Sequence, residues 1–178
     1  MLRKKIIGLF LLITFLFYQS CKKDIRNVEF DMPYQTSFIV PSTIGINLPV
    51  SLPTPDINTN SSQEFSNKGT RPDLIKTVKI TYATLTITDP SGKTFSFLKS
   101  LHLFLSASGV QELEAAYLDN IPNSVGNTIS LILKDENLAA FLKKDKIYLR
   151  SEVVTDETLL QDVTIKVDVK FHVTAQLL

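Results

Sequence analysis

The sequence predicts an all-β fold, an antiparallel β-sandwich of about seven or eight strands with one or two short helices in its connections. The main observation is the stretch Asp162–Gln176, in which apolar and polar residues alternate with a period of two. This pattern is typical of a strand with one face on a core and one in water. Fixing these fifteen residues costs about 15–30 kcal/mol of backbone entropy, whereas burying the apolar face returns roughly 10–18 kcal/mol. The strand therefore needs paired neighbours and a second apolar layer, and turn residues separate other alternating segments that can supply them.

Length and charge limit the classes of function. The chain has 178 residues, a formal net charge of +1 and 21% charged residues, which fits one folded domain. A near-neutral chain has no electrostatic basis for binding nucleic acid, so nucleic acid is excluded as a partner. Cys21 is the sole cysteine, so no disulfide can form within the chain.

The first twenty residues are predicted to be a signal peptide. Arg3, Lys4 and Lys5 form a basic segment, and the twelve residues of Ile6–Phe17 form an apolar run. A permanent membrane span needs about 20 apolar residues, so this run is too short to be one. Residues 1–20 are therefore expected to direct export and to be removed.

The segment Tyr18-Gln19-Ser20-Cys21 resembles the processing site of bacterial lipoproteins, in particular those of Bacteroidota. Ser20 matches the small residue before the lipidated cysteine, whereas Tyr18 departs from the usual leucine. The resemblance implies that Cys21 carries the lipid, typically with palmitate, and becomes the first mature residue. Lys22 in the next position implies the outer membrane. The alternative is an ordinary secretory cleavage that leaves Cys21 unmodified.

The mature chain is divided into a tether, residues 21–27, and one sandwich domain, residues 28–178. Tyr34–Val40 and Ile44–Val50 are the first predicted strands. Pro33, Pro41 and Pro49 flank or interrupt them, and proline removes a backbone donor, so these strands are expected at sheet edges.

Residues 51–71 are predicted to form one long exposed loop because turn formers dominate them. Phe65 is their large apolar residue, and it is interpreted as a staple onto the sandwich, with an anchor for a partner as the alternative. Asp56, Asn58 and Asn60 match the start of a calcium-binding loop. The calcium hypothesis fails at the later positions, where the motif requires glycine and glutamate.

Leu74–Thr88 is predicted to be a strand in which Val78, Ile80 and Tyr82 share one face, with a change of phase near Ala83 that indicates a bulge. The turn formers of residues 89–92 predict a hairpin into the next strand, residues 94–105. The core or near-core residues expected there are Phe95, Phe97 and Phe104.

The remaining elements complete the sandwich. Val110–Leu118 has apolar residues at helical spacing and is predicted to be a short helix, and Thr128–Leu133 a short strand. Asp135 is predicted to cap a second short helix with an apolar stripe of Leu138, Phe141 and Leu142. Ile147–Val154 is predicted to form a hairpin with the final strand. This arrangement is similar to immunoglobulin-like sandwiches in architecture alone, without their cysteines and tryptophan.

No catalytic, cofactor-binding or metal-binding residue is predicted. Motifs for nucleophilic, phosphate or zinc chemistry do not occur, and His102 and His172 stand seventy residues apart inside strands. Tyr34 and Tyr148 are the tyrosines expected to face outward, as a sugar-binding surface would require. The chain is therefore interpreted as a non-enzymatic binding or structural accessory protein that is anchored to the membrane by lipid, with another envelope protein or a glycan as partner. The alternative is an envelope hydrolase or carbohydrate-binding protein whose site the sequence does not show.

Overall fold

The computed structural model describes residues 26–178, which form two antiparallel sheets packed face to face. The four-stranded sheet has the strand order β1-β10-β4-β7, and its strands are β1 (Asn27–Val40), β10 (Val163–Gln176), β4 (Ile75–Asp89) and β7 (Thr128–Ser130). The six-stranded sheet has the order β2-β9-β5-β6-β8, and β3 also pairs with β9. Its strands are β2 (Pro49–Pro53), β3 (Ile57–Asn58), β5 (Leu98–Ala107), β6 (Val110–Asp119), β8 (Ile132–Leu133) and β9 (Lys146–Thr155). The antiparallel sandwich is confirmed, and three strands of only two or three residues raise the count above the predicted one.

The final strand occupies the centre of the four-stranded sheet, as its alternation predicted. Every second side chain of β10 is buried in the core: Val163, Ile165, Val167, Val169, Phe171, Val173 and Ala175. β1 pairs with β10 in continuous register from Asn27 opposite Gln176 to Val40 opposite Val163. Pro33 lies inside β1, which is an edge strand as predicted.

β4 pairs with the other edge of β10 through three register shifts. One of them leaves Thr81 unpaired, because Lys170 lies opposite Tyr82 and Phe171 opposite Ile80. The bulge and the change of phase are confirmed, but the change comes before Tyr82. Tyr82 is therefore 46% exposed and does not share the buried face of Ile80.

The two predicted hairpins at residues 89–92 and before β10 are wrong. β4 and β5 belong to different sheets, and so do β9 and β10. The chain crosses the sandwich at both places, and Phe95 and Phe97, buried as predicted, lie in a short 3-10 turn at the first crossing. Phe104, which was expected at or near the core with them, instead projects from the outer face of β5 and is only half-buried. Alternation identifies the buried face of a strand, but a strand of either sheet can bury that face against the same core.

The predicted helix at Val110–Leu118 is wrong as well, because this segment is β6. Its pairing with β5 contains two register shifts, and one leaves Ala115 unpaired between Glu114 and Ala116. The helix was predicted from the spacing of Val110, Leu113 and Tyr117. The extra residues set Val110 and Leu113 three apart on the inward face, which imitates a helix, whereas Tyr117 projects outward beside His102. The hairpin turns at Gly109, whose φ of 72° favours glycine.

The second predicted helix is present in shortened form as α2 (Ala139–Leu142). Its apolar stripe of Leu138, Phe141 and Leu142 is buried. The predicted cap is wrong, because Asn137 Oδ1 accepts a hydrogen bond from the Ala139 backbone N–H at 3.1 Å. Asp135 instead forms an ion pair with Lys79 at 2.6 Å.

Residues 51–71 are not one exposed loop. They contain most of β2, all of β3 and the helix α1 (Ser61–Asn67), and Phe65 is fully buried with its ring 5.2 Å from that of Phe30. Phe65 thus packs onto the sandwich, as the staple interpretation required. The segment was assigned to a loop because of its polar composition, yet some of its polar groups bond backbone carbonyls of neighbouring elements.

Two buried threonines show how these polar groups are satisfied. Thr59 Oγ1 donates to the Lys144 carbonyl at 2.7 Å, and its backbone N–H donates to the Asp145 carbonyl at 2.9 Å. Thr70 Oγ1 donates to the carbonyl of Gln176 at the end of β10. A buried hydroxyl with such a partner avoids the cost of desolvation, so Thr59 and Thr70 can be both polar and buried.

Replacing Val169 by Asp is expected to destabilise the protein by several kcal/mol, because it puts a carboxylate without a partner in the core. Lys170→Gln, one residue along on the solvent face, is the control and is expected to change stability little. Chemical denaturation of the two variants measures the difference. Equal losses would show that the inward face of β10 is assigned wrongly.

Phe65→Ala is expected to cost about 3–5 kcal/mol of stability, because it leaves a cavity against Phe30. Gln63 lies on the exposed face of the same helix and bonds Asn67, so Gln63→Ala is the matched control with an expected change of about 0.5 kcal/mol or less. The measurement is thermal or urea unfolding. A Phe65→Ala protein as stable as the control would mean that this segment does not contribute to the core.

Candidate functional site

The most connected cluster of charged and aromatic side chains lies on the outer face of the six-stranded sheet. We call it the stacked ladder, and it consists of Arg150, Phe104, His102, Tyr117 and Lys134. The Arg150 guanidinium lies 4.0 Å from the centre of the Phe104 ring, and the Lys134 ammonium lies 4.4 Å from that of Tyr117. Between them His102 stacks on both rings, with centroids 6.4 Å from Phe104 and 5.9 Å from Tyr117.

Strand register brings these residues together. Tyr117 of β6 lies opposite His102 of β5, and Arg150 of β9 lies opposite Phe104, two residues further along β5. Because residues two apart in a strand share a face, all four side chains project to the same outer surface. Lys134 follows β8, the short strand next to β6.

Two carboxylates bind the imidazole of His102. Its Nδ1 lies 2.5 Å from Glu114 Oε1 and its Nε2 lies 3.2 Å from Asp119 Oδ1, so the protonated ring donates through both nitrogens. Partial burial lowers the pKa of His102, but the hydrogen bonds with Glu114 and Asp119 outweigh that effect and leave the pKa raised. Burial raises the pKa of Glu114, and hydrogen bonds from His102 and Lys134 reverse this, so its pKa is lowered.

Arg150 is held by several acceptors at the other end of the ladder. It donates to both carboxylate oxygens of Glu112, at 2.7 and 3.1 Å, and to Glu152 at 3.2 Å and Ser51 at 2.9 Å. The paired hydrogen bond from Arg150 lowers the pKa of Glu112. Such bidentate pairs fix the plane of the guanidinium, which can then lie flat on Phe104.

The charged and aromatic side chains of the stacked ladder contact one another. Each of the Phe104, His102 and Tyr117 rings has two such neighbours, a ring or a cation. A sugar would need a free ring face, so these contacts argue against a glycan platform on the stacked ladder. We interpret it as a brace that ties β9, β5, β6 and the segment after β8 together.

Two of the tyrosines, Tyr34 and Tyr82, differ from the sequence-based expectation. Tyr148 is 40% exposed, as predicted, whereas Tyr34 is half-buried and donates its hydroxyl hydrogen to the Thr59 carbonyl at 2.9 Å. Burial, together with the charge of Glu64, raises the pKa of Tyr34. Tyr82 faces outward instead and lines an open groove of about 490 Å³ with Gln35, Asp168 and Lys170 on the four-stranded sheet.

The structure separates the two histidines. His102 lies in the six-stranded sheet and His172 in the four-stranded one, where its Nδ1 lies 2.9 Å from Asp31. Within residues 26–178 no group of three His, Cys, Asp or Glu side chains is arranged to hold a metal ion. Cys21, the predicted lipidation site, lies outside the described residues. In the described part of the chain, no helix has the length and apolarity that crossing a membrane requires.

Replacing His102 by Gln is expected to destabilise the protein in a pH-dependent way. The folded-state pKa of His102 is raised. Its positive charge therefore contributes fully to stability below the unfolded-state pKa of about 6.5, and this contribution is lost as the pH rises through the folded-state pKa. The stability difference between wild type and His102→Gln should therefore be largest near pH 5–6 and should shrink at alkaline pH. Urea denaturation over this range measures it, with Glu114→Gln expected to flatten the dependence.

A stability loss in His102→Gln that is the same at every pH would contradict this account. It would mean that ring stacking, and not the paired charge, is what His102 contributes.

The comparisons with known proteins give no family. No family model matches the chain, and no curated protein matches it. Three solved structures show distant likeness over most of the chain. A decameric BFDV capsid protein is 12% identical with a TM-score of 0.41, over 84% of this chain and 99% of that one. A 60-mer BFDV capsid protein is 9% identical with a TM-score of 0.40, over 86% and 95% of the two chains. The Desmodium yellow mottle tymovirus structure is 10% identical with a TM-score of 0.27, over 86% and 90%. Similarity at this level does not support any inference about function.

Proposed function

We propose that this chain is a lipid-anchored protein of the bacterial outer membrane that acts as a non-enzymatic binding or structural accessory of the cell envelope. The observation that carries the proposal is the leader, a basic segment and short apolar run that end at Ser20-Cys21. Acylated Cys21 would be the first residue of the mature protein. The folded part then starts almost immediately after it.

The short tether limits how far such an anchored domain would lie from the membrane. Lys22–Arg26 are the five residues between Cys21 and the first strand, which begins at Asn27. Fully extended, this tether spans at most about 20 Å. The end of the sandwich with Asn27 and Gln176 would therefore stay near the membrane, and the opposite end, with Val40 and Val163, would project roughly 40 Å further out.

The arrangement of polar groups supports a binding or structural role. The best-connected cluster in residues 26–178, the stacked ladder, pairs its acids and bases with each other across strands. The alternative of a carbohydrate-binding protein or hydrolase rests on the groove beside Tyr82, where an aromatic ring, Asp168 and Gln35 meet. A glycan array and a panel of hydrolase substrates would separate that alternative from the proposal.

Cys21→Ala is expected to release the protein from the membrane fraction. A bacterial lipoprotein carries at least two acyl chains, and each buried CH₂ contributes about 0.8 kcal/mol to membrane binding. The measurement is fractionation of cells that express the full chain, together with mass spectrometry of the mature N-terminus. Lys23→Ala, two residues along, is the control and should remain with the membranes.

An unmodified mature N-terminus, or one at another residue, would contradict the lipid anchor. Membrane association that survives in Cys21→Ala would do the same.

A further inference from the structure

The edges of the two sheets differ in how they are protected. A strand edge presents unpaired backbone N–H and C=O groups, and proteins protect such edges by short strands, proline or charge. Of the four edges described for residues 26–178, β7 has three residues, β8 has two, and β2 begins and ends with proline. β1 is the longest of these terminal strands, since it has fourteen residues.

Protection of β1 is limited to its first half. That half carries Glu29, Asp31 and Pro33. The second half, Gln35–Val40, has the sequence QTSFIV, with no charge, no proline and a high proportion of β-branched and aromatic residues. We call Gln35–Val40 the uncharged edge.

The position of Pro33 shows which backbone groups of the uncharged edge point outward. Proline has no N–H, yet Pro33 lies opposite Lys170 inside a continuous ladder, so its nitrogen faces away from β10. Since backbone groups alternate along a strand, the N–H and C=O groups of Gln35, Ser37 and Ile39 also face away. These three residues form no backbone hydrogen bond outside the β1–β10 ladder within residues 26–178.

An apolar groove lies beside this edge, where the two sheets part. It has a volume of about 480 Å³ and is lined by Ser37, Phe38, Ile39, Pro41, Leu52, Pro53, Pro55 and Thr164. Ile39 is 54% exposed at its rim. The groove therefore adds an apolar surface to a row of free donors and acceptors.

We infer that the uncharged edge binds an extended, uncharged segment of another protein, which adds to the four-stranded sheet as a strand next to β1. Backbone bonds to Gln35, Ser37 and Ile39 would provide the affinity, and apolar side chains at alternate positions would enter the groove. Pro33 and Pro41 limit the paired length to about six residues. The inference deepens the proposed accessory function by assigning it a site and a class of ligand.

A second copy of this chain fits the edge less well if the domain is lipid-anchored, and this step rests on the proposed function. Antiparallel pairing is the more stable kind, and through the uncharged edge it would place the two Asn27 ends roughly 70 Å apart on opposite sides. Tethers of at most about 20 Å would then force both sandwiches to lie flat on the membrane. A separate segment avoids that constraint.

The test uses the full chain, expressed with its own leader and purified from whichever fraction contains it. The probe is a fluorescent capped hexapeptide of alternating threonine and valine, and its control is the same peptide N-methylated at every internal residue, which removes its donors. Binding is followed by fluorescence anisotropy. Ser37→Pro removes the central outward N–H, as Pro33 already does elsewhere in β1, and Ser37→Ala is the matched control.

The expected result is binding of the unmethylated peptide to the wild type and to Ser37→Ala with affinities within about twofold. Ser37→Pro should weaken binding about tenfold, because it removes one backbone hydrogen bond to the peptide and disturbs the adjacent backbone hydrogen bonds. Ile39→Lys, which charges the rim at an exposed position and so leaves the fold intact, should weaken it to a similar extent. The N-methylated peptide should not bind.

Two results would overturn the inference. One is no binding of the unmethylated peptide, or equal binding by Ser37→Pro. The other is that the wild type sediments as a dimer, that Ser37→Pro dissociates this dimer and that the peptide does not. That result would assign the edge to a second copy of the chain. Neither result depends on Cys21, so a failure of the lipid anchor is recognised separately from a failure of this site.

Discussion

The fold depends on the burial of one face of β10 while both of its edges are paired. Seven side chains of this strand enter the core, and β1 and β4 supply its hydrogen-bonding neighbours. The β1–β10 register is continuous, whereas β4 accommodates three shifts on the other side. The β1–β10 pair, which has no register shift, therefore sets the geometry of the sheet. The bulges in β4 adapt the twist of the sheet to that pair.

The six-stranded sheet packs against the four-stranded one because the chain repeatedly crosses between the two layers. It crosses after β4 and again after β9, and Leu131, which is buried, separates β7 of one sheet from β8 of the other. Each crossing places apolar residues between the layers, as at Phe95 and Phe97. The stacked ladder then fixes the outer face of the larger sheet, where charge and ring stacking are only partly exposed to solvent.

The sequence predicted the long alternating strands, but alternation alone was not sufficient, because Ile44–Val50 also alternates and only its last two residues belong to a strand, β2. β10 and β9 are nearly where they were expected, and even the bulge in β4 was visible as a change of phase. β6 was missed because two extra residues altered its period, and α1 because it is short and polar, with Phe65 as its one large buried side chain. Sheet membership was not predictable, since alternation does not say which layer a strand joins.

The candidate sites were less predictable than the fold for the same physical reason. The stacked ladder follows from the register between β5, β6 and β9, which no local pattern contains, although Ser108-Gly109 was a usable hairpin signal. The outward groups of Gln35, Ser37 and Ile39 likewise follow from the direction of Pro33 within β1. Cys21 is the opposite case, because its assignment rests on the leader sequence alone.

Amide hydrogen exchange along β10 tests most directly the claim that this strand organises the fold. The account predicts that the amides of Val167–Phe171 exchange only through global unfolding, with a free energy of exchange equal to that of unfolding measured by denaturant. The outward amides of Ser37 and Ile39 should exchange far faster. Exchange at Val167–Phe171 through a local opening, while β5 and β9 remain protected, would contradict the claim.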